Sequence, residues 1–487
     1  MKHISSLLSA ALCLASVAAG LAVPESYVVD RSYSLVSEAG TNFSVFEHAD
    51  TNSRTRFVEN SGICETTKGV KQYSGYFDVG NDDHMFFWFF EARNNASTAP
   101  LALWLNGGPG CSSMLGLFQE NGPCTFNQGG GAEPTLNPNS WNKFANMLYV
   151  DQPIGSGFSY GSSNTSSTVN AAPQVWGLMQ SFYSKFPEYE NRDFGLFTES
   201  YGGHYGPDFA AYFEDQNAKI DQGSVKGKKI KLVALATQYR DYLDFAVNNT
   251  YNKLIDQRKY NELVKAYEKD CAPNLKKCTQ IEGQNKACMA AEEACYNAVE
   301  GPIENGKTFN VYDVRTTNGN FPPEAYAKYL ERPAVRKAIG VTSPYQECAD
   351  APFDRFSSTG DGKAMLTAKD KMHGKLTWYA GERSFLKKLQ DVVKTDVQVV
   401  IWAGDSDWIC NYVGNYNVVQ KIGGEEFEKA EMKPFNLNGK KMGEYKSVKN
   451  LSWVRVYEAG HEIPAYQPEV AFEVFRQTMS KKPISSP

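Results

Sequence analysis

The chain has 487 residues, 42% of them hydrophobic and 13% aromatic, which is enough apolar side chain for a sizeable core and excludes a disordered protein. Its 50 basic and 55 acidic residues are spread along the chain and leave a net charge of −5, which excludes nucleic acid and a membrane surface as partners. In chain order, Lys2 and His3 precede an apolar stretch from Ile4 to Ala19, with small residues Ser16, Ala18, Ala19 and Gly20 at its end, so residues 1–20 read as a signal peptide. That run is shorter than the ~20 residues a membrane span needs, so no membrane anchor is expected. Export is expected instead, to the extracellular space or to an acidic compartment such as a vacuole. Sequons at Asn42, Asn95, Asn164, Asn248 and Asn450 fit glycosylation on that route. The closing Lys481–Pro487 is neither a hydrophobic GPI tail nor a retention signal.

Residues 21–70 are polar and irregular and read as an N-terminal arm or a propeptide, with Thr51–Arg56 as a loop or processing site. Gln72–Val79 and Met85–Phe90 form a predicted hairpin. Leu101–Leu105 and Asn146–Val150 are continuous apolar runs, as expected of strands covered on both faces, and they open into the glycine-rich turns Asn106–Ser113 and Asp151–Ser159. Asp193–Phe197 is another short apolar run, followed at helical spacing by Phe209, Ala210, Tyr212 and Phe213. Ser200 therefore stands at a strand-to-helix turn, the setting of a nucleophile elbow, although Thr198 occupies the position that the G-x-S-x-G consensus gives to glycine. After Ile230–Leu235, residues 236–320 are rich in Lys, Glu and Cys and lack strand signals, which predicts an inserted helical cap. Strand patterns return at Val397–Trp402 and Leu451–Tyr457. Apolar strands alternating with helices predict an α/β fold with a mostly parallel central sheet, its core segments 71–235 and 321–487 lying on either side of the cap.

Ten cysteines include Cys13 in the signal, leaving an odd nine in the mature chain. Cys271, Cys278, Cys288 and Cys295 have six, nine and six residues between them, a symmetry suited to nested bridges Cys271–Cys295 and Cys278–Cys288. A zinc cluster is the alternative, which an oxidising compartment and the absence of C-x-x-C spacing disfavour.

Loops at the carboxyl ends of such strands meet at one edge of the sheet. Three of them supply Ser200, then Asp405 or Asp407, then His461. A hydroxyl is inert near neutral pH without a base; an imidazole supplies one, and a carboxylate fixes its tautomer and stabilises the imidazolium. Gly108, where glycine permits close backbone approach, pairs with the N–H of Tyr201 as a candidate oxyanion hole.

Five blocks carry a resemblance: Trp104–Ser113, Asp151–Ser159, Glu199–Tyr205, Ala403–Asn411 and Ala459–Pro464. Together, from about Tyr73 to Arg476, the chain resembles the serine carboxypeptidases, a family of the α/β-hydrolase fold. The resemblance implies release of single residues from the C-termini of peptides and proteins through an acyl-enzyme, with no metal or organic cofactor; an acidic optimum is expected because Glu120 and Glu199 at one site would repel the substrate's carboxylate unless one of them holds a proton. It implies Ser200 as nucleophile, His461 as general base and acid, and Asp407 as the orienting carboxylate. It further implies that Asn106, Gly107, Glu120 and Glu199 hold the substrate's C-terminal carboxylate, and that Cys410 is the family's unpaired cysteine near the site. Leu115, Gln119, Cys410 and Glu462 are expected at the specificity pocket, Glu462 favouring C-terminal Lys or Arg. By the same likeness Cys111 pairs with Cys348, which leaves Cys64 with Cys124. The chain departs from the family at Thr198, at Glu462 where some members carry methionine, and at Leu235–Arg240, which lacks the usual Gly-Asn-Gly turn and Asp-Pro before Gln-Tyr. Two other functions remain in view: an acyltransferase of the same family, and a hydrolase-like binding protein that has lost its chemistry through the shortened 235–240 stretch.

Overall fold

The computed structural model describes residues 33–487 except 39, 49–52, 81, 127–130, 239–241, 279–284, 307, 318–320 and 359–384. The signal peptide, the start of the arm, and Tyr239 and Arg240 of the shortened stretch lie outside the described residues.

Among the described residues, thirteen strands make one sheet. Its order is Tyr33–Glu38, Thr41–His48, Ser53–Glu59, Gln72–Gly80, Asp83–Phe90, Asn146–Val150, Leu101–Leu105, Phe194–Thr198, Leu232–Thr237, Gln398–Gly404, Leu451–Val456, Lys440–Val448 and Lys433–Leu437. The six strands from Asn146–Val150 to Leu451–Val456 are parallel to one another. Antiparallel strands flank this block on both sides. The sheet is thus mixed, with its parallel part confined to the centre. The expectation of an irregular arm is corrected as well, because residues 33–59 supply three antiparallel strands. Their polar composition concealed the pattern. Arg56 is buried with its guanidinium over the Tyr76 ring at 4.9 Å and hydrogen-bonded to the Tyr160 hydroxyl, so a charged residue occupies an interior place by stacking.

Alternation of side chains divides each central strand between two cores. Leu101, Leu103 and Leu105 enter one, with helices Thr168–Lys185 and Gly202–Asp221, while Ala102 and Trp104 enter the other, with helix Pro468–Met479. A fully buried side chain of this size contributes about 1.5–3 kcal/mol, and the central strands are buried throughout. Such two-sided cover holds the carboxyl ends of the parallel strands in fixed relation.

A long insertion runs from Leu232–Thr237 to Gln398–Gly404. Its first part has its own small core of Phe245, Leu263, Val299, Ile303 and Phe309 around the Cys271–Cys295 bridge, with Cys278–Cys288 beside it. Its later helices Ala325–Leu330 and Pro333–Ala338 pack onto the sheet through Tyr326, Leu330, Val335 and Ile339. No helix of the described residues is long and apolar enough to cross a membrane.

Candidate active site

Strand Phe194–Thr198 is wholly buried, and only Glu199, Ser200 and Tyr201 separate it from helix Gly202–Asp221. Ser200 lies in that turn at φ +58°, a left-handed conformation that side chains rarely adopt, and it is half-exposed at the sheet's carboxyl edge. Thr198 fits where the consensus has glycine because its neighbours are glycines. A Cβ on Gly202 would lie 2.4 Å from Thr198 Cβ, and one on Gly206 would lie 3.1 Å from Thr198 Oγ1. The hydroxyl is also satisfied, donating to the Gly202 and Ala236 carbonyls at 2.9 and 3.1 Å.

The turn after Leu101–Leu105 comes very close to this elbow. A Cβ on Gly107 would stand 2.3 Å from Tyr201 N, so residue 107 must be glycine for the two backbones to meet. Gly108 follows at φ +108°. The turn is held from behind by Asp151, whose carboxylate accepts from Ser112 Oγ at 2.6 Å, Ser113 N at 2.9 Å and Phe158 N at 2.8 Å. Burial pushes Asp151 up to about 6 despite these donors. In front, the Cys111–Cys348 disulfide joins the turn to the insertion. The Cys64–Cys124 disulfide ties two loops into the second core.

Asn106 is buried at the centre of a polar cluster. Its Oδ1 accepts from Trp104 Nε1 at 2.8 Å and Gly116 N at 2.9 Å, which turns its Nδ2 toward Glu199 Oε1 at 3.1 Å and Glu120 Oε1 at 3.3 Å. No protein donor reaches Oε2 of either glutamate. Burial, and then the charges of Glu199 and Glu462, hold Glu120 well above the ordinary carboxylate range. Burial raises Glu199 too, against the nearby His461 and the hydrogen bonds from Glu120 and Asn106. Ionising both carboxyls together is therefore disfavoured.

On the other side of the site, His461 Nδ1 is 2.9 Å from Asp407 Oδ2, and Asp407 Oδ1 accepts from Cys410 N at 3.0 Å. Burial opposes the imidazolium, but Asp407 and Cys410 outweigh it and hold His461 well above the usual histidine range. Asp405 is turned away: its carboxylate accepts from Tyr251 Oη at 2.9 and 3.0 Å. Between the two aspartates left open by the loop itself, the geometry pairs Asp407 with the histidine. Cys410 is buried and carries a thiol rather than a disulfide. Glu462 is half-buried and raised by burial and by the charge of Glu199, and no donor reaches its Oε2. Gln119 is occupied, donating to the Pro322 and Pro323 carbonyls at 3.3 and 3.1 Å, and Leu115 packs half-buried on the core.

One element of the site has no signal in the sequence. The turn at 311–314 on the returning cap chain threads between the two loops: Val311 O accepts from Trp408 N and Ile409 N, Tyr312 O accepts from His461 N at 2.9 Å, and Val314 N donates to Ser406 O. The Tyr312 ring lies 5.2 Å from the His461 ring, and Trp408 is sunk into the cap core against Tyr242 at 4.6 Å. A glycine requirement marks this packing, since a Cβ on Gly460 would meet Tyr312 O at 2.6 Å.

Of the sequons, Asn42, Asn95, Asn164 and Asn248 are exposed. Asn450 Nδ2 instead donates to the Val393, Thr395 and Val397 carbonyls at 2.7–3.0 Å.

A mixed sheet with a parallel centre, a serine at its strand-to-helix elbow and a buried aspartate–histidine pair across the edge define an enzyme of the α/β-hydrolase class. The family model for serine carboxypeptidase matches residues 63–481. Over 443 residues the chain is 50% identical to carboxypeptidase S1 of Penicillium janthinellum, covering 88% of this chain and 100% of that protein. It is 35% identical over 452 residues to carboxypeptidase Y of Komagataella phaffii, covering 88% of this chain and 80% of that protein. The crystal structure of Kex1(delta)p, a prohormone-processing carboxypeptidase from Saccharomyces cerevisiae, shares the fold at a TM-score of 0.69 and 21% identity, over 87% of this chain and 96% of that one. The chain belongs to the serine carboxypeptidase family, and it is a serine-type carboxypeptidase.

Proposed function

We propose that the enzyme releases single residues from peptide and protein C-termini at acidic pH, with Ser200 as nucleophile. His461 takes the Ser200 proton as the hydroxyl attacks the scissile carbonyl, and Asp407 stabilises the imidazolium that results. The backbone N–H groups of Gly108 and Tyr201 receive the oxyanion. His461 then gives the proton to the departing amine, leaving an acyl-enzyme that water hydrolyses by the same steps.

The observation that carries this reading is the buried Asn106–Glu120–Glu199 cluster, whose second glutamate adjoins the nucleophile. A carboxylate brought against two ionised glutamates would be repelled, whereas the proton on Glu120 and the amide of Asn106 offer it hydrogen bonds, with Gly107 beside them. As pH rises through the pair's upper pKa that proton is lost and binding weakens, which sets the alkaline limit, while protonation of His461, whose neutral form is the base, sets the acid limit. Glu462, adjacent to the base, favours a departing Lys or Arg. Leu115, Gln119 and Cys410 bound the same pocket. Export as a glycoprotein accords with the N-terminal sequence and with four exposed sequons. A blocked dipeptide tests the reading: it should yield one free amino acid, and fluorophosphonate should label Ser200 and stop the reaction. Cleavage inside a doubly blocked peptide at comparable rate would contradict it.

A further inference from the structure

We propose that Gln238 is a positioning residue that couples the nucleophile elbow to the histidine loop. The inference rests on the assignment of Ser200 and His461 above. Strand Leu232–Thr237 lies directly beside Phe194–Thr198, with Ala236 opposite Phe197, and the shortened connection after it makes Gln238 the first residue beyond the strand. Gln238 is only 3% exposed. Its Oε1 accepts from Ser200 N at 3.0 Å, and its Nε2 donates to His461 O at 3.3 Å. A buried backbone N–H must find an acceptor, and in the left-handed elbow that of Ser200 finds this side chain. A planar amide fixes the separation of its two ends, so one buried group sets the elbow against the loop that carries the base. Thr198 Oγ1 reaches the same strand end at Ala236 O, so the elbow is tied to Leu232–Thr237 on both sides of the turn.

Two variants of the full chain, Gln238→Met and Gln238→Glu, separate positioning from mere filling of space. Methionine has nearly the same volume and neither hydrogen bond. Protonated glutamate keeps an acceptor for Ser200 N and a donor for His461 O; ionised glutamate loses the donor and sets a negative charge against a carbonyl. Gln238→Met is expected to lower kcat on the order of 10²-fold at every pH with KM within about twofold, the size of effect a misplaced reacting group produces. Gln238→Glu is expected to approach wild type at low pH and to fall toward the methionine variant as pH rises. The charged and ionisable groups around this contact, His461, Asp407, Cys410, Glu120, Glu199 and Glu462, are the same in both proteins, so the profile is read as the ratio of variant to wild type. Thermal unfolding of each variant establishes that it is folded. Wild-type kcat in Gln238→Met, or a ratio for Gln238→Glu that does not change with pH, would overturn the proposal. Activity surviving in Ser200→Ala would instead overturn the assignment on which it rests.

Discussion

The two halves of the catalytic edge are held by different means. Ser200 and the Asn106–Gly108 turn belong to the sheet: buried parallel strands lead into them, and glycines let the two backbones touch. Asp407 and His461 also follow central strands, but their loops are joined by a stretch of the inserted cap, 311–314, that hydrogen-bonds to both. The Ser200 elbow is therefore set by the parallel sheet, whereas the Asp407 and His461 loops, which also bond each other at Ser406 and Ala459, take added support from the insertion. Damage to the 311–314 stretch should then lower turnover chiefly through the base.

The largest effects test the shared chemistry. Ser200→Ala and His461→Ala should each cost on the order of 10⁶ in kcat, because a triad acts as a unit. Asp407→Asn should cost about 10⁴, since it removes the charge that holds the imidazolium and its tautomer. Asp405→Asn, which disturbs the Tyr251 hydrogen bonds and the ion pair with Arg455 but not the Asp407–His461 pair, should leave kcat within a few-fold. An inactive Asp405→Asn with an active Asp407→Asn would reverse the assignment.

A pair of glycine substitutions sharpens the contrast between the halves. Gly460→Ala places a methyl against Tyr312 O and the Tyr466 ring, so it should separate the histidine loop from the cap and lower kcat by roughly 10²-fold with a small change in KM. Gly177→Ala, on the sheet-packed helix Thr168–Lys185, meets nothing within 4 Å and should leave kcat unchanged while adding up to about 1 kcal/mol of stability. Equal effects of the two on kcat would erase the distinction drawn here.

The same asymmetry runs through what was legible in the sequence. The central strands, the elbow and the cysteine pairing of the cap are local patterns: apolar runs, turn glycines and symmetric spacing. Tyr312 and Gln238 carry no such mark, because their roles come from backbone and side-chain contacts with other loops of the site, Tyr312 with His461 and Gln238 with both Ser200 and His461. The strands at 33–59 were hidden for another reason. Buried Arg56 and Thr55 broke the apolar alternation by which a strand is recognised, and ring stacking on Arg56 is a tertiary property.

A smaller effect probes the histidine loop itself. At a pH where Glu462 is ionised, Glu462→Met should lower the ratio of rates on substrates ending in Arg and Leu by roughly fivefold, corresponding to about 1 kcal/mol for one partly solvated charge. The effect should fade as pH falls and its raised carboxyl gains a proton. An unchanged ratio would remove Glu462 from the account of specificity.

The central claim is that two buried carboxyls sharing one proton receive the substrate's carboxylate, and KM against pH tests it most directly. Glu120 and Glu199 are both raised, so their shared proton is present at low pH and lost as pH rises. For a peptide with a free C-terminus KM should climb through that loss. For the corresponding C-terminal amide, which carries no charge, it should stay flat. The divergence should vanish in the double variant Glu120→Gln, Glu199→Gln. Curves that rise in parallel for peptide and amide would contradict the claim.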